Sequence, residues 1–496
     1  MLGQLLREGH SPILATDLYQ LTMAKGYWKN EVADREAAFD MFFRRAPFNG
    51  AYAVMAGLET LVGMLRQFHF TGSDLEYLAG LKDRAGQPLF EDRFLRYLEG
   101  LRFTCDVSAV PEGTVVFPFE PLVRVQGPIV QAQLLETLLL NTLNFQTLIA
   151  TKAARVCLSA QGEPVVEFGL RRAQGLDGGL SASRAAYVGG CAGTSNVLAG
   201  KLMGMPVYGT HAHSWVMAFG SEVEAFEAYA RSFPDDCLLL VDTYGTIKGI
   251  QNAIAVAQKL KEGGHTFAGL RLDSGDLAYF SIQARRMLDE AGFPDAAILA
   301  SNELDEYVIR SLKNQGARIN LWGVGTKLVT GFDEPALSGV YKLSALRQAG
   351  TGEWQYKLKL SEQRIKISIP GLHQVYRYTD DAGKLAADAI VDWTEDPKAV
   401  DVIVDPHDPT KTKRLSRYHQ SEPLLARVFE RGRLVATLPP LEQVRRRTQD
   451  QLARLDDSHK RLENPHIYPV GLSPRLHAIR EAMIKEQRTL AQSNVY

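Results

Sequence analysis

A chain of 496 residues with 45% hydrophobic content is too long for one compact core and carries enough apolar side chains for two or three. Lysine plus arginine (56) nearly cancel aspartate plus glutamate (57), which excludes a global field that would hold the chain on nucleic acid or an anionic membrane. Cys105, Cys157, Cys191 and Cys237 are too scattered for a CxxC metal site or a dense disulfide framework, which fits a reduced compartment.

The opening from Met1 to Glu8 lacks a basic stretch followed by an apolar core, and no later segment offers the ~20 apolar residues of a membrane span, so a cytoplasmic location is expected. Residues 37–45 and 113–125 are predicted strands, with two helical segments between them including 92–101. Together they make a small α+β domain over 1–135. A long apolar helix over 134–154 leads into a second domain, 136–345. Here short β-rich runs alternate with longer helix-period segments, and the predicted buried parallel strands are 164–170, 206–210, 237–244, 266–273, 296–300 and 319–324.

Each helix between them has its own stripe and stop. After Gly249, the residues Ile250, Ala253, Ile254, Ala257 and Leu260 share a face that ends at Gly263-Gly264. Ala284, Met287, Leu288 and Ala291 end at Gly292, while Leu304, Tyr307, Val308, Ser311 and Leu312 end at Gly316. Six successive βα units without a hairpin signal favour a β/α barrel, complete or open, over a doubly wound sheet. In the last segment, 346–496, residues 354–360, 375–379 and 400–405 read as strands before a charged helical tail over 441–462. The run Arg445-Arg446-Arg447 in that tail reads as a solvated helix face.

In parallel β/α architectures the loops after the strands share one mouth, so strand ends are where chemistry gathers. These ends supply Glu167 to Arg172, Thr210 to Ser214, Asp242 to Tyr244, Arg271 to Asp276, Ser301 to Glu303 and Gly323 to Lys327. Gly323-x-Gly325-Thr326 exposes unobstructed backbone N–H groups beside a hydroxyl, which suits phosphate, although glycines after a strand also serve as plain turn residues. Arg271 beside Asp273 is either a structural ion pair or a reader of a carboxylate and of ribose hydroxyls. Asp242, after four apolar residues, is placed for Mg²⁺ on a pyrophosphate or for a helix N-cap. His211-x-His213 invites a divalent metal, but the later strand ends carry Asp242 and Asp273 and no further histidine. The remaining alternatives are an imidazole nucleophile towards phosphate and a buried, hydrogen-bonded histidine.

These motifs resemble the nicotinate phosphoribosyltransferase family. The likeness runs through Thr16-Asp17-Leu18-Tyr19-Gln20, Glu167 to Arg172, Gly178-Gly179-Leu180, Thr194 to Gly200, Gly209 to Ser214, Arg271 to Asp276 and Gly323 to Thr326. It covers the first two thirds of the chain. The resemblance implies an α/β fold: an irregular β/α barrel of the type II phosphoribosyltransferase kind, with an N-terminal α+β domain and a C-terminal extension packed on that domain. It implies formation of nicotinate mononucleotide and diphosphate from nicotinate and 5-phosphoribosyl 1-diphosphate, with ATP as cosubstrate, Mg²⁺ accompanying the diphosphate near Asp242, and no fixed protein metal site. It also implies a homodimer with shared active sites.

By the same resemblance His213 is transiently phosphorylated by ATP, with Asp242 and Asp273 as its catalytic companions. Phe168 and Tyr19, the latter from the neighbouring subunit, sandwich the pyridine ring. Arg271 takes the nicotinate carboxylate, while Arg171 and the Gly323, Gly325 and Thr326 turn take phosphate. Thr210, Ser214 and Ser195 complete the substrate contacts. Nicotinamide-using relatives typically carry Asp where this chain has Ser195, and a carboxylate there would repel nicotinate. The alternatives are therefore a nicotinamide phosphoribosyltransferase or a non-catalytic nucleotide-binding barrel, the latter disfavoured by the presence of His213.

Overall fold

The run Glu36–Phe43 is apolar at most positions, and every residue after Glu36 is buried, so it is a strand covered on both faces. It pairs antiparallel with Val123–Pro128 on one side and with Gly339–Arg347 on the other. In the computed structural model, which describes residues 11–493 apart from 349, 351 and 419, this pairing joins the two ends of the chain in one compact unit. Residues 1–8, read above for a leader, lie outside the described residues.

Over its described residues the first unit comprises Met1–Leu148 with Ala336–Tyr496, and the second is Ile149–Pro335. The divisions thus fall after 148 and after 335, where edges after 135 and after 345 were expected. Gly339–Arg347 lies in the first unit because its partner is Glu36–Phe43.

The first unit holds a seven-stranded and a six-stranded sheet. The expected strand over 113–125 is two short ones, Val115–Val116 and Val123–Pro128. The expected 354–360 strand shrinks to Gln355–Tyr356, while Leu385–Asp392 and Ala426–Glu430 are strands that hydropathy did not single out. Asp40, buried mid-strand, is tolerated because Arg124 Nε and His373 Nδ1 reach it at 2.9 and 2.8 Å. In the arginine run, Arg446 pairs with Glu442 at 3.2 Å, but Arg447 donates to the Glu112 carbonyl at 2.8 Å and is half-buried.

The second unit is built on six parallel strands, in the spatial order Gly193–Thr194, Val165–Glu167, Leu321–Val324, Ala297–Ala300, Phe267–Leu272, Cys237–Leu240. The predicted strand at 206–210 is reduced to a bridge between Val207 and Thr194, and Gly193–Thr194 takes the ladder position instead. Around the sheet, Thr246–Glu262 buries Ile250, Ala253, Val256, Ala257 and Leu260, each worth up to about 1.5–3 kcal/mol for a large side chain. This helix starts before Gly249, not after it. A Cβ at Gly249 would meet the Val241 carbonyl at 1.8 Å, so the glycine lets the helix lie directly on the strand end.

The helix Glu306–Asn314 turns a different face inward from the one its periodicity suggests. Glu306, Ile309 and Leu312 are buried, whereas Tyr307, Val308 and Ser311 are not. Glu306 can face the interior because Lys152 Nζ and Arg155 Nε meet it at 2.8 and 2.9 Å. Among the described residues no helix is long and apolar enough to cross a membrane, and all four cysteines are free thiols.

Candidate active site

The C-terminal ends of the parallel strands surround a cavity of about 730 Å³. Of the residues expected there from sequence, Phe168, Arg171, Ser195, Thr210, His213, Arg271, Asp273, Gly323, Gly325 and Thr326 line it. Asp242 supports it from below, and Ser214 lies on the exposed first turn of the helix His213–Met217, outside the lining.

The centre is a hydrogen-bonded quartet. Arg271 donates from Nε to Ser301 Oγ at 2.9 Å, from Nη1 to Thr210 Oγ1 at 3.0 Å and from Nη2 to Asp273 Oδ1 at 2.9 Å. Of the five N–H groups of a guanidinium, this leaves one on each terminal nitrogen for a ligand. Ser301 also donates to Asp273. Burial opposes ionisation of Asp273, but the Ser301 hydroxyl and the Arg271 guanidinium outweigh it and hold the carboxyl below the usual range. Below it, Asp242 Oδ2 accepts the Asp273 N–H at 2.9 Å and the Ser274 hydroxyl at 2.6 Å, while Asp242 Oδ1 is buried with no donor among the described residues.

Beside this quartet, Phe168 follows the strand Val165–Glu167 and donates its N–H to the Val324 carbonyl at 2.8 Å, and its ring lies across Gly323. A Cβ at Gly323 would stand 2.6 Å from that ring, so glycine is needed here for close approach. The Arg271 guanidinium lies 5.8 Å from the Phe168 centroid. One aromatic face and one guanidinium therefore border the same space. Lys327, next to the glycine turn, is turned away and bound to Asp305 Oδ2 at 2.6 Å, leaving backbone N–H groups and Thr326 at the turn itself.

The two histidines separate sharply. His211 is buried, and its Nε2 accepts the backbone N–H of Leu240 at 3.1 Å. Nδ1 therefore carries the proton, facing the Ala212 carbonyl at 3.4 Å. Burial pushes its pKa down to about 4. Leu240 ends one outer strand of the sheet, and the segment carrying His211 bridges to the other outer strand at Thr194. The imidazole thus does the work of a missing backbone carbonyl at the seam of the barrel. His213 is different: its side chain is 41% exposed, with Nδ1 3.2 Å from Thr243 Oγ1 and Nε2 3.7 Å from Asp273 Oδ2. The two rings do not converge, so the sequence pair is not a chelate.

Sequence reasoning left three groups without a role. Glu167 is a buried hub that accepts from Ser183 Oγ at 2.8 Å, Thr194 Oγ1 at 2.6 Å and the Gly169 N–H. A carboxylate closing a buried strand was the available signal, since it must find donors. Ser301 and Thr243 were visible only as strand-end hydroxyls. Asn302 and Glu303, also in the lining, have φ of 100° and 42°, a strained backbone of the kind that clusters at functional sites.

Tyr19 lies in the first unit, in the first turn of the helix Leu18–Lys29, and is 49% exposed. Its neighbours anchor that turn: Gln20 Nε2 donates to Glu136 at 2.8 Å, and Thr137 Oγ1 donates to Asp17 at 3.3 Å. Leu18 and Tyr19 are left facing outward.

Comparison with known proteins covers nearly the whole chain. Family models described as nicotinate phosphoribosyltransferase N-terminal domain, family and C-terminal domain match residues 14–144, 164–360 and 372–480. The nicotinate phosphoribosyltransferase of Bacillus subtilis is 43% identical over 486 residues, covering 95% of this chain and 97% of that protein. That of Bos taurus is 37% identical over 523 residues, covering 94% and 95%. The crystal structure of human nicotinic acid phosphoribosyltransferase superimposes with a TM-score of 0.81 at 35% identity, over 94% of this chain and 99% of that one. A nicotinate-nucleotide pyrophosphorylase from Pyrococcus furiosus shares the fold, with a TM-score of 0.68 at 22% identity over 91% and 96% of the two chains.

Proposed function

This chain belongs to the nicotinate phosphoribosyltransferase family, and from that premise we propose that its strand-end cavity couples phosphoribosyl transfer to ATP hydrolysis through His213. The enzyme joins nicotinate to the ribose phosphate of 5-phosphoribosyl 1-diphosphate, in NAD biosynthesis.

The observation that carries the coupling is the contrast between the histidines. His211 has its lone pair committed to Leu240, whereas His213 stands open in the cavity wall. With Nδ1–H donated to Thr243 Oγ1, the Nε2 of His213 holds a lone pair able to attack the γ-phosphorus of ATP, releasing ADP. Asp273, 3.7 Å away and held ionised, stabilises the positive charge that the imidazole gains as the N–P bond forms.

For the transfer itself, a flat anionic heteroaromatic needs an aromatic face and a guanidinium. Phe168 and the two unused N–H groups of Arg271 supply them on one side of the cavity. Ser195, neutral in the lining, does not repel the nicotinate carboxylate. Arg171, Gly323, Gly325 and Thr326 hold phosphate, with Arg171 exposed on its turn. Asp273 serves the ribose hydroxyls, and acidic groups beside the sugar favour the cationic ribose of the substitution. Mg²⁺ on the diphosphate would neutralise the leaving group, and the donor-free Oδ1 of Asp242 fits such a cation. Tyr19, outward on an anchored turn, closes the ring site of a second subunit in a homodimer. The enzyme works in the cytoplasm.

Exposure to Mg-ATP followed by mass spectrometry under alkaline conditions should place phosphate on His213. A label on His211, or unchanged ATP hydrolysis by His213→Ala, would remove His213 from this role.

A further inference from the structure

Phe168 and Ser195 follow two neighbouring strands, Val165–Glu167 and Gly193–Thr194, which pair in parallel with Glu167 opposite Thr194. Each of them sits in the middle of a turn closed by the side chain before it. Glu167 Oε1 accepts the N–H of Gly169, two residues on, which encloses Phe168. Thr194 Oγ1 accepts the N–H of Asn196 at 2.9 Å, again two residues on, which encloses Ser195. The two closing side chains are themselves joined, because Thr194 Oγ1 donates to Glu167 Oε2 at 2.6 Å. The Ser195 N–H adds a further tie, donating to the Glu167 carbonyl at 2.9 Å.

These closing side chains are shut away from solvent. Glu167, Ser183, Thr194 and Asn196 are buried, whereas Phe168 and Ser195 line the cavity. Behind the turns, Ser183 Oγ lies 2.8 Å from Glu167 Oε2 and accepts from Asn196 Nδ2 at 3.2 Å, while Asn196 Oδ1 caps the helix Val197–Met203 by accepting the Ala199 N–H at 3.2 Å. Ser183 belongs to the helix Gly175–Val188, and Gly179 lets that helix come close, since a Cβ there would stand 2.7 Å from Leu170 Cδ1. Gly178-Gly179-Leu180 and Thr194 to Gly200, which apart from Ser195 have no part in the reaction above, thus meet at one buried carboxylate. Such a group is tolerated only when its oxygens are supplied with donors, so the network favours one arrangement and holds both turns to it.

We propose that Glu167 is a positioning residue for the nicotinate ring: through Thr194 it holds Phe168 and Ser195 as one preformed unit, so that the ring meets an aromatic face and a hydroxyl already in register. The proposal rests on the reading that Phe168 and Ser195 face that ring. The turn carrying Arg171 has its own closure, the Arg172 N–H donating to the Gly169 carbonyl at 2.8 Å, so the phosphate side of the cavity depends less on the network. Loosening the network therefore falls on one substrate more than on the other.

Steady-state kinetics on the full chain test this, with circular dichroism to check that each variant is folded. Thr194→Val removes the shared hydroxyl at nearly constant shape and should raise the KM for nicotinate about tenfold, with the KM for 5-phosphoribosyl 1-diphosphate within about twofold of wild type. Thr194→Ser, which keeps the hydroxyl, should return the nicotinate KM to about the wild-type value. Glu167→Gln, which turns one acceptor into a donor, should act in the same direction as Thr194→Val. The two together should be no worse than the stronger single variant, as expected of groups that act as a unit. Equal rises in both KM values, no rescue by Thr194→Ser, or additive effects overturn the positioning role. Phe168→Leu separates this role from the reading beneath it. A raised nicotinate KM in Phe168→Leu, with wild-type values in Thr194→Val and Glu167→Gln, removes the positioning role alone. An unchanged nicotinate KM in Phe168→Leu removes the ring site and the proposal with it.

Discussion

If His211 closes the barrel seam with its lone pair, removing that lone pair has a computable cost. In His211→Ala the Leu240 N–H, buried at the end of its strand, is left without an acceptor, which costs about 1–3 kcal/mol. The edge contact with the Tyr229 ring, at 4.8 Å, adds about 0.5–1.5 kcal/mol. Protonation of the wild-type imidazole should act on the same bond. The folded pKa is near 4 and the unfolded value near 6.5, so the unfolded chain binds more protons between them and stability falls as pH drops through that window. Integrating the linkage from pH 7 to pH 5 gives a loss of about 2 kcal/mol from this group alone. In a chain of two units one melting temperature would blur the effect, so the readout is hydrogen exchange, corrected for intrinsic rate, in peptides containing residues 237–241. His211→Gln, which keeps an acceptor and cannot titrate, should flatten that pH dependence while retaining protection. Exchange at Leu240 that is indifferent to pH in the wild type, or to His211→Ala, would refute the seam.

Other consequences follow from the same geometry. Arg271→Ala should weaken nicotinate binding by about 2–5 kcal/mol, seen as a raised KM, because a desolvated charge pair is lost; unchanged affinity in folded protein would move the carboxylate to Arg171. Gly323→Ala should push the Phe168 ring from its place and raise the KM for nicotinate more than that for 5-phosphoribosyl 1-diphosphate, so equal changes in both would contradict the ring contact. Tyr19→Ala should cost ~0.5–1.5 kcal/mol of stacking beyond lost burial. Mixing Tyr19→Ala, assayed at nicotinate well below its raised KM, with inactive His213→Ala subunits should restore one complete site per heterodimer, and no recovery despite demonstrated exchange would assign Tyr19 to its own chain or to no site.

Local periodicity and strand-end position were legible without any structure. Five of the predicted buried runs in the central region contain strands at nearly the expected residues, because a parallel strand must be continuously apolar and its helix must carry a stripe. The polar residues at the ends of those runs converge for the same reason, which is why Arg271 and Asp273 were findable as candidates from sequence, while His213 follows the one run that keeps only a bridge. What lies between elements distant in the chain was not legible. Nothing in the local pattern tells that Gly339–Arg347 leaves the barrel to pair with Glu36–Phe43, that 206–210 keeps only a bridge at Val207, or that Glu306 faces inward. Each depends on a partner far away in sequence: a strand edge, a missing neighbour, two buried cations. His211 and His213 make the point most directly, being identical residues two apart, the second opening the helix His213–Met217. Only the tertiary structure, by setting the Leu240 N–H against one ring and open cavity against the other, decides that the first is a structural acceptor and the second is free to react.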